Sequence, residues 1–345
     1  MDDFRRILLI HCALRPKAEV QDYVKLAWQS TFGPGHMIRD AASALDQLRR
    51  EAAAVTPDAQ VELFEPIGGG FCRLNLAAQR DFSLEAAAAM FFRSAAVKTG
   101  SDDALAAKLV QIEALSAEGA LPAGSAWLTA YRAVGCPAVH HTEAYRAAYH
   151  PAYRVVSENA LRLLPLLRRL DELLESRDTV TVAIDGNSAS GKSLLGRALA
   201  EAYDAALFHM DDFFLRPEQR TPERFAQPGG NVDYERFAAE VLEPLKVGLP
   251  FSYRVFDCRT MTLGETVEVK PKRLLIIEGA YSRHPYFGDP YDLRVFLKID
   301  PAEQEARIRA RNGEKMWSMF KSRWIPLENA YFAAYPIEKT SDFIL

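Results

Sequence analysis

The chain has 345 residues, more than a single hydrophobic core usually serves, so two domains are expected. Its 42 basic and 46 acidic residues leave a formal net charge of -4, which removes the electrostatic reason to expect nucleic acid as a partner. Four cysteines, Cys12, Cys72, Cys136 and Cys258, stand far apart with no C-x-x-C pair; that speaks against a zinc site and a disulfide framework and for a reducing, cytoplasmic compartment.

At the N-terminus the apolar stretch Ile7 to Ile10 is short and follows acidic residues, unlike a secretory signal. No run approaches the roughly 20 apolar residues of a spanning helix, so no membrane partner is expected. Residues 1–152 read as a mainly helical α+β domain of unassigned role, with amphipathic segments at Ile38 to Val55, Leu84 to Val97 and Asp103 to Glu118. Between the first two, VELFEPIGGGFCRLNL carries β-formers on either side of three glycines, which predicts a hairpin. Two further strings stand out, TFGPGH at 31–36 and PAVHHTEAYRAAYHPAYR at 137–154. His36, His140, His141 and His150 suggest a metal cluster at first sight. The four-residue spacing of Tyr145, Tyr149 and Tyr153 suggests instead one packed aromatic helix face. Residues 153–178 have leucines at helical spacing and predict a connecting helix kinked at Pro165.

From Thr179 strand and helix patterns alternate to the end, the signature of a parallel sheet flanked by helices. The strand TVTVAI runs into Asp185 and then Gly186, Asn187, Ser188, Ala189, Ser190, Gly191, Lys192, Ser193 and Leu194, the last opening an amphipathic helix. This is G-x-x-x-x-G-K-S in its strand, loop, helix setting. Glycines let backbone N–H groups close around phosphate oxygens, and the helix presents its positive dipole end to the anion. Lys192 is then expected on the β- and γ-phosphates and the Ser193 hydroxyl on Mg²⁺. No N-K-x-D string of the GTPase type is present, so ATP is the expected nucleotide.

Beyond the loop, ALFHM predicts a second strand ending at Asp211 and Asp212, where a carboxylate faces the ligand crevice of an open α/β sheet. Here H-M-D-D-F-F resembles the x-x-D-x-F-Y element of the uridine kinase and phosphoribulokinase family of P-loop kinases. The resemblance covers about residues 179–345 and implies a P-loop kinase domain in which Asp211 is the general base toward an acceptor hydroxyl; Asp212 reads as a turn cap. Glu278, after the strand Leu274 to Ile277, is similar to the family's strand-end F-E-G carboxylate, which implies a role on Mg²⁺. The stretch after Asp300 resembles the family's basic lid; Arg307 and Arg311, one turn apart, are its candidates for touching phosphate, while Arg309 points elsewhere.

GGNVDYERF resembles the segment that holds sugar hydroxyls, which makes Asn231 and Asp233 candidates for the acceptor. FSYRVFDCRT is similar to the hairpin that approaches the nucleoside, with Tyr253, Asp257 and Arg259 near the matching positions. Asp257 departs from the family: it stands where uridine kinases have a base-reading His, and an ionised carboxylate only accepts hydrogen bonds. Uracil recognition is therefore in question, and the expected acceptor is a nucleoside, sugar or polyol. The rival reading is a non-catalytic ATP-binding sensor whose N-terminal domain holds a partner. Homo-oligomer formation is left open.

Overall fold

The computed structural model describes residues 3–345 except 36, 37, 39 and 98, so His36 lies outside the described residues. The chain divides into two compact units, Met1–Pro165 and Leu166–Leu345.

The first unit contains α1 (Asp3–Leu14), α2 (Val20–Phe32), α3 (Ala41–Ala54), β1 (Phe64–Gly68), β2 (Phe71–Asn75), α4 (Leu84–Ala95), α5 (Asp102–Ala117), α6 (Ser125–Ala133), α7 (Glu143–Tyr149), β3 (Tyr153–Ser157) and α8 (Glu158–Leu161). Side-chain caps set several helix starts: Asp40 accepts from Ser43 N–H, Ser83 from Ala86, Ser101 from Ala104 and Thr142 from Tyr145. The expected hairpin is β1 and β2, antiparallel, with β3 completing a three-stranded sheet. Its core packs Leu8, Val24 and Leu26 against Ile67, Leu109, Ile112 and Val155.

Two expectations are corrected here. The connecting helix does not begin at Tyr153: Tyr153–Ser157 is the third strand, because β-branched Val155 and Val156 pair with Arg73 and Cys72 on β2. Nor does Pro165 kink a helix, since α9 (Leu164–Ser176) starts beside it, and in a first turn the missing N–H costs nothing. Tyr153 thus leaves the proposed aromatic helix face; Tyr145 keeps its place, with His141 stacked on it at 4.0 Å.

The second unit continues with β4 (Val180–Gly186), α10 (Lys192–Tyr203), β5 (Ala206–His209), α11 (Pro222–Phe225), α12 (Tyr234–Phe237), α13 (Glu243–Val247), β6 (Phe251–Asp257), β7 (Thr262–Val269), β8 (Leu274–Glu278), β9 (Leu293–Leu297), α14 (Pro301–Met319), α15 (Ile325–Ala334) and β10 (Phe343–Ile344). Five strands form one parallel sheet in the order β10-β9-β4-β8-β5, with β6 and β7 as a separate antiparallel pair. Strands β4 and β8 are buried along almost their whole length, which is why they read as continuous apolar runs rather than alternating ones. From β4 the chain passes to β5 and β8 on one side and later to β9 on the other. The carboxyl end of β4 is therefore a topological switch point, the place where such sheets bind ligands. A parallel sheet with a glycine-rich loop leaving its central strand there is the fold of a P-loop kinase. Among the described residues no helix is long and apolar enough to cross a membrane.

Candidate active site

Gly186 ends β4 with φ 141°, and a Cβ at that position would stand 2.2 Å from the carbonyl oxygen of Leu297. Only glycine fits such a backbone so close to the neighbouring strand. Gly191, at φ 101°, caps α10, and Lys192 folds back from its first turn. The Lys192 ammonium donates to the carbonyl oxygens of Gly186 at 3.0 Å and Asn187 at 2.8 Å. Beneath the loop, fully buried Asp185 accepts from the Gly186 N–H, the Arg283 N–H and the Tyr331 hydroxyl. Burial holds its carboxyl above the usual range, and those donors together with Lys192 oppose the shift. The buried Ser190 hydroxyl has no hydrogen-bond partner among the described residues, as a group kept for a ligand would.

Two helices from the far end of the chain converge on the loop. Gln304 of α14 donates to the Ser188 carbonyl at 3.0 Å and Arg307 to the Ala189 carbonyl at 3.1 Å. Glu328 of α15, almost fully buried, accepts from the Ser188 N–H at 2.9 Å and from the Ser188 hydroxyl. Burial raises the Glu328 carboxyl; Lys192 and the Ser188 donors pull it down, and Asp211 pushes it up again. Arg311 bonds Asn312 at 2.7 Å and lies within electrostatic reach of Asp211. Arg309 pairs with Glu305 and Glu314 and lies over the Trp317 ring. Gly313, at φ 76°, interrupts α14.

Parallel pairing places Glu278 of β8 beside Ile184 of β4 and His209 of β5. Its Oε1 meets His209 Nδ1 at 2.5 Å, and that bond raises the imidazole pKa. Two residues on, Asp211 sits in the short turn Met210–Phe213. Solvent reaches the residue, yet the protein around its carboxyl displaces enough water to raise the pKa. Glu278 adds to the rise, while Lys192, His209 and Arg311 oppose it. Asp211, Glu278 and Lys192 thus share one electrostatic site at the carboxyl ends of β4, β5 and β8.

The acceptor candidates divide. Asn231 is buried and its Oδ1 has no hydrogen-bond partner among the described residues. Asp233 is occupied structurally: it caps α12 through the Arg236 N–H, accepts from Gln219 at 2.9 Å and faces the Arg236 guanidinium at 3.7 Å. Tyr253 is buried among Phe208 and Phe213, with its hydroxyl on Asp212 at 3.2 Å. Its hydroxyl thus donates to Asp212, the neighbour of Asp211, and keeps its acceptor lone pairs. The Asp212 carboxylate accepts this bond, and no backbone cap contact of its side chain is found among the described residues. Asp257 accepts from the Arg259 N–H at 2.8 Å in the β6–β7 turn, and the Arg259 side chain is 92% exposed. The intervening Cys258 lies within electrostatic reach of Asp211, and the Arg259 side chain stays in solvent.

Sequence reading missed Gln304, Glu328 and His209. His209 had a weak signal, standing at a strand end just before the Asp211 turn. Glu328 had none, since it lies 140 residues from the serine it holds.

No family model matches the chain. It is 25% identical over 176 residues to a uridine kinase of Shewanella frigidimarina, covering 45% of this chain and 82% of that protein. Uridine kinases of Shewanella piezotolerans and Shewanella amazonensis are 29% and 31% identical over 140 and 148 residues, each match covering 36% of this chain and 64% of the relative. Among solved structures, one described as a possible uridine kinase from Bacillus stearothermophilus aligns at TM-score 0.40 and 20% identity, covering 52% of this chain and 99% of that one. Over 36% to 45% of its length, then, this chain is similar to uridine kinases.

Proposed function

We propose that the second unit transfers the γ-phosphoryl group of ATP to a hydroxyl of a small nucleoside, sugar or polyol. The observation that carries the reading is the placement of Glu278 and the His209–Asp211 turn at the carboxyl ends of β8 and β5, beside β4 and its glycine-rich loop with Lys192, within electrostatic reach of one another. The residues present fit a nucleotide: Gly186 has no room for a side chain, Ser190 has a spare buried hydroxyl, and a lysine follows the second glycine. Backbone N–H groups of Asn187 to Ser193, with Leu194 in the first helical turn, would hold the phosphates. Ser193 and Glu278 would hold Mg²⁺, which when bound neutralises phosphate charge.

In the transfer the acceptor oxygen forms a bond to the γ-phosphorus, the bond to the β,γ-bridging oxygen breaks, and ADP departs. The acceptor proton passes to Asp211, whose raised pKa suits a group that must take a proton late in a loose transition state. Lys192, Arg307 and Arg311 face the phosphate charge. Glu278 and His209 hold each other, which keeps the Glu278 carboxylate oriented. The free cysteines fit a reducing, cytoplasmic setting.

A screen of nucleosides, sugars and polyols for acceptor-stimulated ADP release tests this reading. One acceptor should raise turnover sharply, and Asp211→Asn should remove the rise. Tight ATP binding with no acceptor in the screen would favour a sensor instead.

A further inference from the structure

The first unit holds a buried polar cluster that the phosphoryl-transfer reading does not use. Arg73 on β2 is 2% exposed, and a buried guanidinium is costly unless all its donors are used. They are not. One NH₂ group donates to Gln29 at 3.0 Å and the guanidinium plane covers the Tyr153 ring at 4.4 Å, but Nε has no partner among the described residues. The carboxylate facing it, Glu65, is shared. Its Oε1 pairs with Arg15 at 2.6 Å, while its Oε2 lies 3.7 Å from Arg73 and makes no hydrogen bond.

The second carboxylate, Asp22, contributes its charge but offers Arg73 no free acceptor, because its hydrogen-bonding positions are filled. It accepts from His141 Nδ1 at 2.8 Å, from the N–H and hydroxyl of Thr142 and from the Glu19 N–H. His141 Nε2 is taken by the Tyr153 hydroxyl at 2.8 Å. Arg15 and Arg73 therefore both turn to Glu65, and with Lys25 close by, its ammonium on the Val139 carbonyl, three cations face the two carboxylates Glu65 and Asp22. Burial lowers His11 and His141 to about 4 and Lys25 to about 8; Arg73 adds to each fall, and Glu65 or Asp22 opposes it. A cavity of about 10 Å³ opens between these groups, room for about one water-sized group. Arg15, with a fifth of its side chain exposed, stands at its rim.

We propose that this pocket, lined by His11, Arg15, Asp22, Arg73, His141 and Tyr145, binds the terminal oxyanion of a small ligand, a carboxylate or a phosphoryl group. One anionic oxygen fills the space beside the Arg73 Nε, and the rest of the group remains at the rim on Arg15. The ligand thereby supplies the acceptor that Arg73 lacks and the negative charge that the cluster lacks.

The test uses the full chain carrying Lys192→Ala, so that the glycine-rich loop does not bind the probe. Inorganic phosphate and malonate are titrated separately while the imidazole NMR signals of His11 and His141 are followed, assigned by single His→Gln variants. Saturable movement of both signals with phosphate marks a phosphoryl site, and with malonate a carboxylate site. Arg15→Gln, at the rim and spared the folding risk of changing Arg73, should weaken that binding by about tenfold, the loss of one charge-assisted hydrogen bond. If neither probe moves the two signals, or if Arg15→Gln leaves the binding unchanged, the proposal is overturned. Because the loop is disabled throughout, neither result depends on the kinase reading.

Discussion

The Glu328 carboxylate accepts both the backbone N–H and the hydroxyl of Ser188, so α15 puts a buried negative charge on the loop proposed to hold a triphosphate. That charge opposes an incoming phosphate at short range. Glu328→Gln retains a hydrogen-bond acceptor and removes the charge, and ATP should bind about tenfold tighter, the equivalent of one charged contact. Calorimetric titration reads this directly. Because burial raises the Glu328 carboxyl, the wild type sheds its charge as pH falls, and the gap between wild type and variant should shrink in acid. Weaker binding by the variant would mean that the carboxylate supports the loop instead.

Asp211 has a raised pKa, so the folded state disfavours its ionised form at neutral pH. Asp211→Asn should therefore lose acceptor-dependent turnover by about 10² to 10⁴ while the melting temperature rises, on the order of 1–3 °C. Both quantities come from one preparation, and a fall in melting temperature would contradict the electrostatic account.

At Gly186 backbone and space act together. An added Cβ would meet the Leu297 carbonyl at 2.2 Å on a backbone at φ 141°. Gly186→Ala should cost on the order of 3 kcal/mol and abolish nucleotide binding. Urea unfolding and equilibrium dialysis with ATP measure the two losses.

His209 gains its raised pKa mainly from the Glu278 hydrogen bond. A base whose folded pKa lies above its unfolded value stabilises the fold fully below the unfolded pKa, near 6.5, and stops doing so as pH rises through the folded value. NMR titration of His209 should give a midpoint above 6.5, and Glu278→Gln should bring it back toward 6.5. The variant's stability deficit should be largest near pH 6 and smaller above pH 9.

His11 and His141 show the opposite sign, with pKa values lowered to about 4. Their buried neutral forms are fully compatible with the fold above pH 6.5, and stability is lost as pH falls from there toward 4, because the unfolded chain takes up protons that the folded one resists. Urea midpoints followed from pH 7.5 to 4.5 should decline steadily, and His11→Asn should flatten part of the decline.

Much of the second unit was legible because its information is local. A β-branched strand, a G-x-x-x-x-G-K-S loop and a helix lie contiguous in the chain, and the loop's glycines are demanded by its own backbone angles and the adjacent strand. The positions of Asp211 and Glu278 were readable for a related reason: in a parallel sheet, residues at or shortly after a strand's carboxyl end lie along the same crevice whichever strand carries them. Tyr153–Ser157 was misread because leucine periodicity further along was carried back over a segment whose partner, β2, lies some eighty residues earlier. Only the tertiary structure brought Glu328 to Ser188, occupied Tyr253 with Asp212 and left Arg73 with an unused donor in a buried cluster. Such contacts depend on which distant side chains the packing brings within about 3 Å, and a hydrogen bond between residues far apart in sequence leaves no periodicity to read.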